Sequence, residues 1–329
     1  MRFGAVPVAD AEGAVLAHSL EFAANKLRKG RVLAAADIAA MQAAGLAEVI
    51  VARLDASDLG EDAAAGLIAA AMVPDPAAAH LRLTTASTGR VNIYAELPGV
   101  LELNVAALEA ANRVDPMITI ATLPPFARTR ARGMVATVKI IAYGLAHVAA
   151  ARAADLARNA MRVCPVVVKN AVLIQTDTGA GAGKGEDAMR ARLDALGIAL
   201  RDVQVVAHRV EPLAKAVAAA EADLVLILTA SATSDPGDVA PEAVRTAGGL
   251  VTRFGMPVDP GNLLFLGTQG GRPVIGLPGC ARSPALNGAD WVLERVVCGL
   301  QVSDDDIAGM GVGGLLKESP ARPHPREKR

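Results

Sequence analysis

Asp235 and Asp238 stand three apart in residues 229–243, TASATSDPGDVAPEA, behind the hydroxyls of Thr229, Ser231, Thr233 and Ser234. One such carboxylate can cap a helix. Pro241 and Glu242 suit the first turn of a helix, so one reading of Asp238 is as its N-cap. The preceding run ADLVLIL is that of a buried strand. Capping alone does not account for four hydroxyls and two acids after one strand, and the pattern predicts a ligand loop.

Two more segments carry chemistry. Residues 176–187, TDTGAGAGKGED, follow another apolar run and contain Thr176, Asp177, Gly179 and Lys184. Exposed amides before a helix suit an anion. A P-loop needs G-x-x-x-x-G-K-[ST], and here the spacing is one residue short with Gly185 in place of Ser or Thr; the dinucleotide pattern G-x-G-x-x-G is not met either. The alternative is a glycine connection without a ligand. Residues 276–288, GLPGCARSPALNG, place Pro278, Gly279, Cys280, Arg282 and Ser283 after a further strand. Arg282 can fork onto a phosphate, and Ser283 with Pro284 reads as the start of the last helix. Cys280 reads as packing rather than chemistry. The five histidines show no metal-ligand spacing, and no serine-histidine-aspartate order with a nucleophile elbow is visible.

The elements that carry these loops alternate. From residue 166 onward, NAVLIQT, RDVQVVAH, DLVLILT, NLLFLG and RPVIGL read as strands, with helices EDAMRARLDALG, PLAKAVAAAEA and APEAVRTAGG between the first four. A final helix follows in SPALNGADWVLERVVCGL. Such alternation predicts a doubly wound, mostly parallel α/β sheet whose ligands bind at the carboxyl ends of the strands. Upstream, residues 1–75 read as a small α/β unit closed by VPDP at 73–76, and residues 76–165 as a mixed α+β domain. Residues 303–329 read as a charged, proline-rich tail or linker.

The whole chain sets the limits. Its 329 residues suit two or three domains. Net charge is -1, from 33 basic and 34 acidic residues, which argues against nucleic acid as the partner. The three cysteines form no C-x-x-C pair, and no apolar stretch approaches membrane-spanning length. The opening residues lack the charge and apolar run of a signal peptide, so the expectation is a soluble cytoplasmic protein.

Residues 229–243 resemble the loop T-G-G-T-G-x-x-x-R-D-V-T-P-E-A of molybdopterin-binding proteins of molybdenum cofactor biosynthesis. Without a gap, they match at Thr229, Asp238, Val239, Pro241, Glu242 and Ala243. Residues 276–279 resemble that family's G-L-P-G. VPVADAEGAVLA and KGRVLAAADIAAMQAAGLAEVIVA resemble its molybdenum insertase branch. GMVATVKII, GMPVDPGNLL and MGVGGLL resemble a bacterial subgroup often fused to a nucleotidyltransferase. The resemblance implies that molybdopterin is the ligand, with Mg²⁺ and ATP where adenylyl transfer occurs. It implies a metal or adenylyl role for Asp238, and Thr229 and Ser231 along the ligand; Pro278, Gly279 and Arg282 would face the same pocket. A nucleotidyltransferase or molybdoenzyme partner and a homo-oligomer are implied too. By position, Ala230, Ser234, Asp235, Pro241, Glu242, Cys280 and Ser283 join the ligand set, and Asp235 joins Asp238 as a metal candidate.

Ala230-Ser231 replaces the Gly-Gly pair, Gly237 replaces the arginine, and Asp235 adds a negative charge. A missing charge-assisted contact is worth about 1.5 to 3 kcal/mol. The expected function is therefore a molybdopterin carrier or binding module. The alternatives are an adenylyltransferase or insertase, and a scaffold that binds no pterin.

Overall fold

The structure is a computed structural model that describes residues 1–23, 25–179, 181 and 184–316. The tail sequence KESPARPHPREKR, at 317–329, lies outside the described residues, as does Gly183 of the glycine loop. The chain forms two compact units.

The first unit comprises residues 1–97 and 101–163. Its N-terminal part is a three-stranded sheet in which Glu48–Arg53 pairs antiparallel with Arg2–Pro7 and Val15–Leu16. Leu16, Leu33, Ile38, Met41 and Val51 fill its core. A second core lies under a four-stranded antiparallel sheet, where Ile68 and Met72 of the helix Glu61–Met72 join Val91, Ile93, Val138 and Ile140. The sequence placed that helix with residues 1–75. Its apolar face instead shares a core with the segment after it, so the boundary expected at 73–76 falls inside one unit.

Among the described residues, the second unit comprises 98–100 and those from 164 to 316. Its elements in chain order are β1 (Asn170–Asp177), α1 (Glu186–Asp194), β2 (Ala199–Ala207), α2 (Val210–Ala219), β3 (Leu224–Leu228), α3 (Val239–Thr246), β4 (Leu250–Phe254), β5 (Phe265–Gln269), β6 (Arg272–Leu277) and α4 (Gly288–Val297). The sheet has six strands in the order β2-β1-β3-β6-β5-β4. The pairs β1–β2, β1–β3 and β3–β6 are parallel, and the pairs β6–β5 and β5–β4 are antiparallel.

Every residue of β3 is buried, as its unbroken LVLIL run requires of a strand covered on both faces. Val172, Ile174, Val225 and Ile227 share one core with α2 and α3. The alternate residues Leu173, Leu226 and Ile275 turn to the opposite face, where α1 and α4 bury Met189, Leu193, Val292 and Leu293. This is the doubly wound α/β arrangement expected from the alternation.

Three expectations are corrected. β4 was not foreseen: its side chains are exposed or half-buried, so LVTRF carries no buried-strand signature. The last helix begins at Gly288, not at Ser283, because Asn287 caps it and Asp290 closes the capping box. Residues 303–316 are not a free tail: Ser303 caps the helix Asp304–Gly309, Ile307 and Met310 are buried, and Leu316 N–H donates to the Asp259 carbonyl at 2.9 Å.

Candidate functional site

In the parallel part of the sheet, Asp177 is level with Ala207, and Gln175, Leu228 and Leu277 are level with one another. The connections after β1, β2, β3 and β6 therefore leave the sheet side by side at the strands' carboxyl ends, where open α/β sheets take ligands.

Three side chains tie these connections together. Thr176 is 1% exposed; its Oγ1 accepts the Ala230 N–H at 2.8 Å and lies 2.9 Å from His208 Nδ1. That joins the ends of β1, β2 and β3. Arg282 donates to the Lys184 carbonyl at 2.7 Å and to the Thr229 carbonyl at 2.8 Å. It thus staples the glycine loop to the end of β3. Burial pushes its guanidinium below the ordinary arginine range. Gly185, with φ of +155°, lets this staple close, since a Cβ there would lie 2.6 Å from Leu228 Cδ2 and 3.3 Å from Arg282 Cγ. Arg192, from α1, holds the third connection by donating to the carbonyls of Ala281 at 3.0 Å, Ser283 at 2.9 Å and Ala285 at 3.1 Å.

The two acids are placed differently. Asp238 is the N-cap of α3; its Oδ1 accepts the Val239 N–H at 2.7 Å and its Oδ2 the Ser234 N–H at 3.0 Å. Asp235 Oδ1 accepts the Gly237 N–H at 2.7 Å. Both carboxylates therefore satisfy backbone donors of their own loop. Among the described residues no group of three or more His, Cys, Asp or Glu side chains is arranged to hold a metal ion. Pro241 is buried in the first turn of α3, and Glu242 pairs with Arg245 at 3.2 Å.

The remaining candidates spread over the same rim. Thr229 is buried with its hydroxyl 3.3 Å from that of Thr233, whereas Ala230, Ser231 and Ser234 are exposed. Asp177 Oδ1 accepts the Gly179 N–H at 2.9 Å. Pro278 is buried, Gly279 exposed, Cys280 half-buried and Ser283 exposed. Two clefts open here. One of ≈ 710 Å³ is lined by Gln175, Lys184, Glu186, Val203, Arg282 and Pro284. Another of ≈ 620 Å³ is lined by Asp177, Gly179, Val205, His208 and Arg209. Sequence reasoning missed His208 and Arg192. His208 had one available signal, its place directly after the last residue of a parallel strand. Arg192 had none, since its partners lie about ninety residues away.

Residues 173–296 match the protein-family model described as probable molybdopterin binding domain. The match covers that segment alone, a little over a third of the chain, and supports a role in molybdenum cofactor biosynthesis. Residues 5–53 match a family described as a domain of unknown function. No curated protein matches the chain. Among solved structures the chain is similar to the molybdopterin biosynthesis MoeA protein from Pyrococcus horikosii, at 12% identity over 91% of this chain and 75% of that one, with a TM-score of 0.32. It is also similar to the molybdopterin biosynthesis enzyme MoaB from Thermus thermophilus, at 18% identity over 40% of this chain and 98% of that one, TM-score 0.29. The CinA protein of unknown function from Thermoplasma acidophilum is similar at 18% identity over 35% of this chain and 90% of that one, TM-score 0.28. No helix among the described residues is long and apolar enough to cross a membrane.

Proposed function

We propose that the second unit binds molybdopterin, a pterin dithiolene phosphate, as a carrier or binding module in molybdenum cofactor biosynthesis. The observation that carries this reading is the stapled mouth between β1 and β3 within the segment that matches the probable molybdopterin binding domain. There Thr176 and Arg282 fix the Ala230 amide and the Lys184 and Thr229 carbonyls. A flat heteroaromatic ligand has donors and acceptors along its edge, and a rim held in place before binding loses less entropy on closing around it. In this reading Thr176, Thr229, Pro278 and Arg282 shape the mouth. Ala230, Ser231 and Gly279 face the ligand. Lys184, exposed beside the start of α1, meets its phosphate.

Asp238 accepts the Ser234 and Val239 N–H groups and Asp235 Oδ1 accepts that of Gly237, and among the described residues no third ligand side chain joins them to complete a Mg²⁺ site. Binding of the pterin in this reading needs no metal bridge between these two acids. The reading assigns Asp238 to closing the loop and starting α3.

The test is pterin retention by the purified full chain, read as the fluorescent oxidised pterin, with and without Mg-ATP. Retention without conversion is expected, and Asp238→Asn, which keeps one oxygen to accept the Val239 or Ser234 N–H, should retain pterin better than Asp238→Ala. Conversion to an adenylylated product that Asp238→Asn abolishes would replace this reading with adenylyl transfer. No retention would overturn it and leave a scaffold that docks a nucleotidyltransferase or a molybdoenzyme.

A further inference from the structure

The Thr176 hydroxyl is sealed from solvent, so its one donor and its acceptor capacity must both be met inside the protein. It accepts the Ala230 N–H at 2.8 Å, and among the described residues the other polar atom in reach is His208 Nδ1 at 2.9 Å. With the imidazole neutral and its proton on Nε2, the relay is complete: Ala230 N–H donates to Thr176 Oγ1, and Thr176 O–H donates to His208 Nδ1. An imidazolium carries a proton on both nitrogens and can only donate. Thr176 Oγ1 would then receive two donors while its own proton lost its acceptor. A buried donor without a partner is costly, so Thr176 or Ala230 must give way.

We infer that His208 is a positioning residue: through Thr176 it fixes the Ala230 amide at the mouth of the connection after β3, and acidification releases that amide. The relay crosses three neighbouring strands, β2, β1 and β3, at one end of the sheet. Two charged groups line the cleft beside His208, Asp177 from the end of β1 and Arg209 from its own connection. Asp177 is already engaged, since its Oδ1 accepts the Gly179 N–H and its carbonyl accepts the His208 N–H at 2.8 Å. Glu211 lies in the first turn of α2, and the connection after β3 meets the relay with uncharged Ala230. The consequence for ligand rests on the molybdopterin reading: affinity should fall on acidification, because the connection that carries Ala230 past the pterin is no longer held.

The experiment is NMR of the full chain without ligand, following the histidine ring protons and the Ala230 amide from about pH 8 to about pH 5.5, the range in which histidines change charge. The Ala230 amide should shift with the same midpoint as the His208 ring. In His208→Asn the shift should vanish, since the Asn Oδ1 can accept where Nδ1 does and does not titrate. Thr176→Val, which keeps the shape and loses the hydroxyl, should uncouple the two sites, with the other amide resonances reporting that the fold survives. An Ala230 amide that moves equally in wild type and His208→Asn, or that follows another histidine, would overturn the inference.

Pterin retention is measured alongside. His208→Ala should weaken it about tenfold at neutral pH, as expected for one lost hydrogen bond, and His208→Asn should restore most of that loss while removing the pH dependence. If Ala230 and His208 are coupled but no pterin is retained at any pH, the molybdopterin reading fails and the positioning role stands. Retention without coupling overturns the positioning role alone.

Discussion

Arg192 of α1 and Asp290 of α4 form an ion pair, 98 residues apart in sequence, with each side chain only 11% exposed. The same guanidinium donates to carbonyls of Ala188, Ala281, Ser283 and Ala285. Asp290 in turn accepts the Asn287 N–H at 2.8 Å, which closes the capping box of α4. One buried cation thus sets both the path of the connection after β6 and the start of the helix that follows it. Removing one member of such a pair leaves the other charge buried and alone, at a cost of about 3–5 kcal/mol. Arg192→Ala should lower the urea midpoint read by Trp291, the single tryptophan, which adjoins Asp290 in α4. Arg192→Lys keeps the charge but not the planar fork and should recover only part of the loss. An unchanged midpoint in Arg192→Ala would remove this pair from the account of the domain's stability.

How much of this was legible in the sequence follows from how local each cause is. The LVLIL run of β3 and the Asp238-to-Ala243 helix start carry their reasons within a few residues, and both could be read directly. The start of α4 could not. Ser283-Pro284 is a plausible helix opening taken alone, but the Ser283 and Ala285 carbonyls are held by Arg192 from another helix, and Asn287 becomes the cap. β4 escaped because its pattern is set by pairing with β5 rather than by burial. At the site, residue types located the loops. Which donors each oxygen meets was a matter of distances: both Asp238 oxygens accept backbone N–H groups, which residue type and position alone do not reveal.

The Arg282 staple predicts a loss of ligand out of proportion to any loss of stability. Its guanidinium, half-buried, holds the Lys184 and Thr229 carbonyls together, and hydrogen bonds from a charged donor are worth about 1.5–3 kcal/mol each. The loops it joins are at the surface, so the sheet should survive its removal. Arg282→Ala should reduce pterin retention at least about tenfold while shifting the Trp291 unfolding midpoint little. Arg282→Lys can reach one carbonyl at a time and should lie between. Equal loss of stability and of retention would mean that Arg282 props the fold rather than the mouth.

Acid should weaken the first unit through Asp37. Its carboxylate is buried in the first turn of the helix Ala35–Ala43, where Arg31 Nε donates to it at 2.9 Å and Ala34 N–H at 3.0 Å. The Arg31 hydrogen bond, then that of Ala34, holds its pKa below the usual carboxylate value. A folded value below the unfolded one means stabilisation that is present above about pH 4 and lost as pH falls through the folded value. Tyr143 is a suitable reporter within the same unit, since its hydroxyl donates to the Ala17 carbonyl at 2.6 Å. Tyrosine-monitored urea midpoints should fall from about pH 5 to about pH 3, and Asp37→Asn should lower the midpoint at neutral pH and flatten that fall. An equally steep acid fall in Asp37→Asn would place its cause elsewhere.

Two glycines of the third connection separate packing from ligand contact. At Gly276, in β6, an added Cβ would lie 1.9 Å from Phe265 Cε1. Gly276→Ala must displace a buried ring and should cost about 1–3 kcal/mol, read as a lower Trp291 unfolding midpoint. At Gly279 an added Cβ meets nothing within 4 Å, and its φ is not among the positive values that favour glycine. Gly279→Ala should therefore leave stability within about 0.5 kcal/mol of wild type. If pterin lies against this backbone, the added methyl occupies the ligand's space, and retention falls while the unfolding midpoint stays put. If Gly279→Ala retains pterin as wild type does, the ligand does not reach this backbone, and the site narrows to the Thr176, Ala230 and Arg282 side of the mouth.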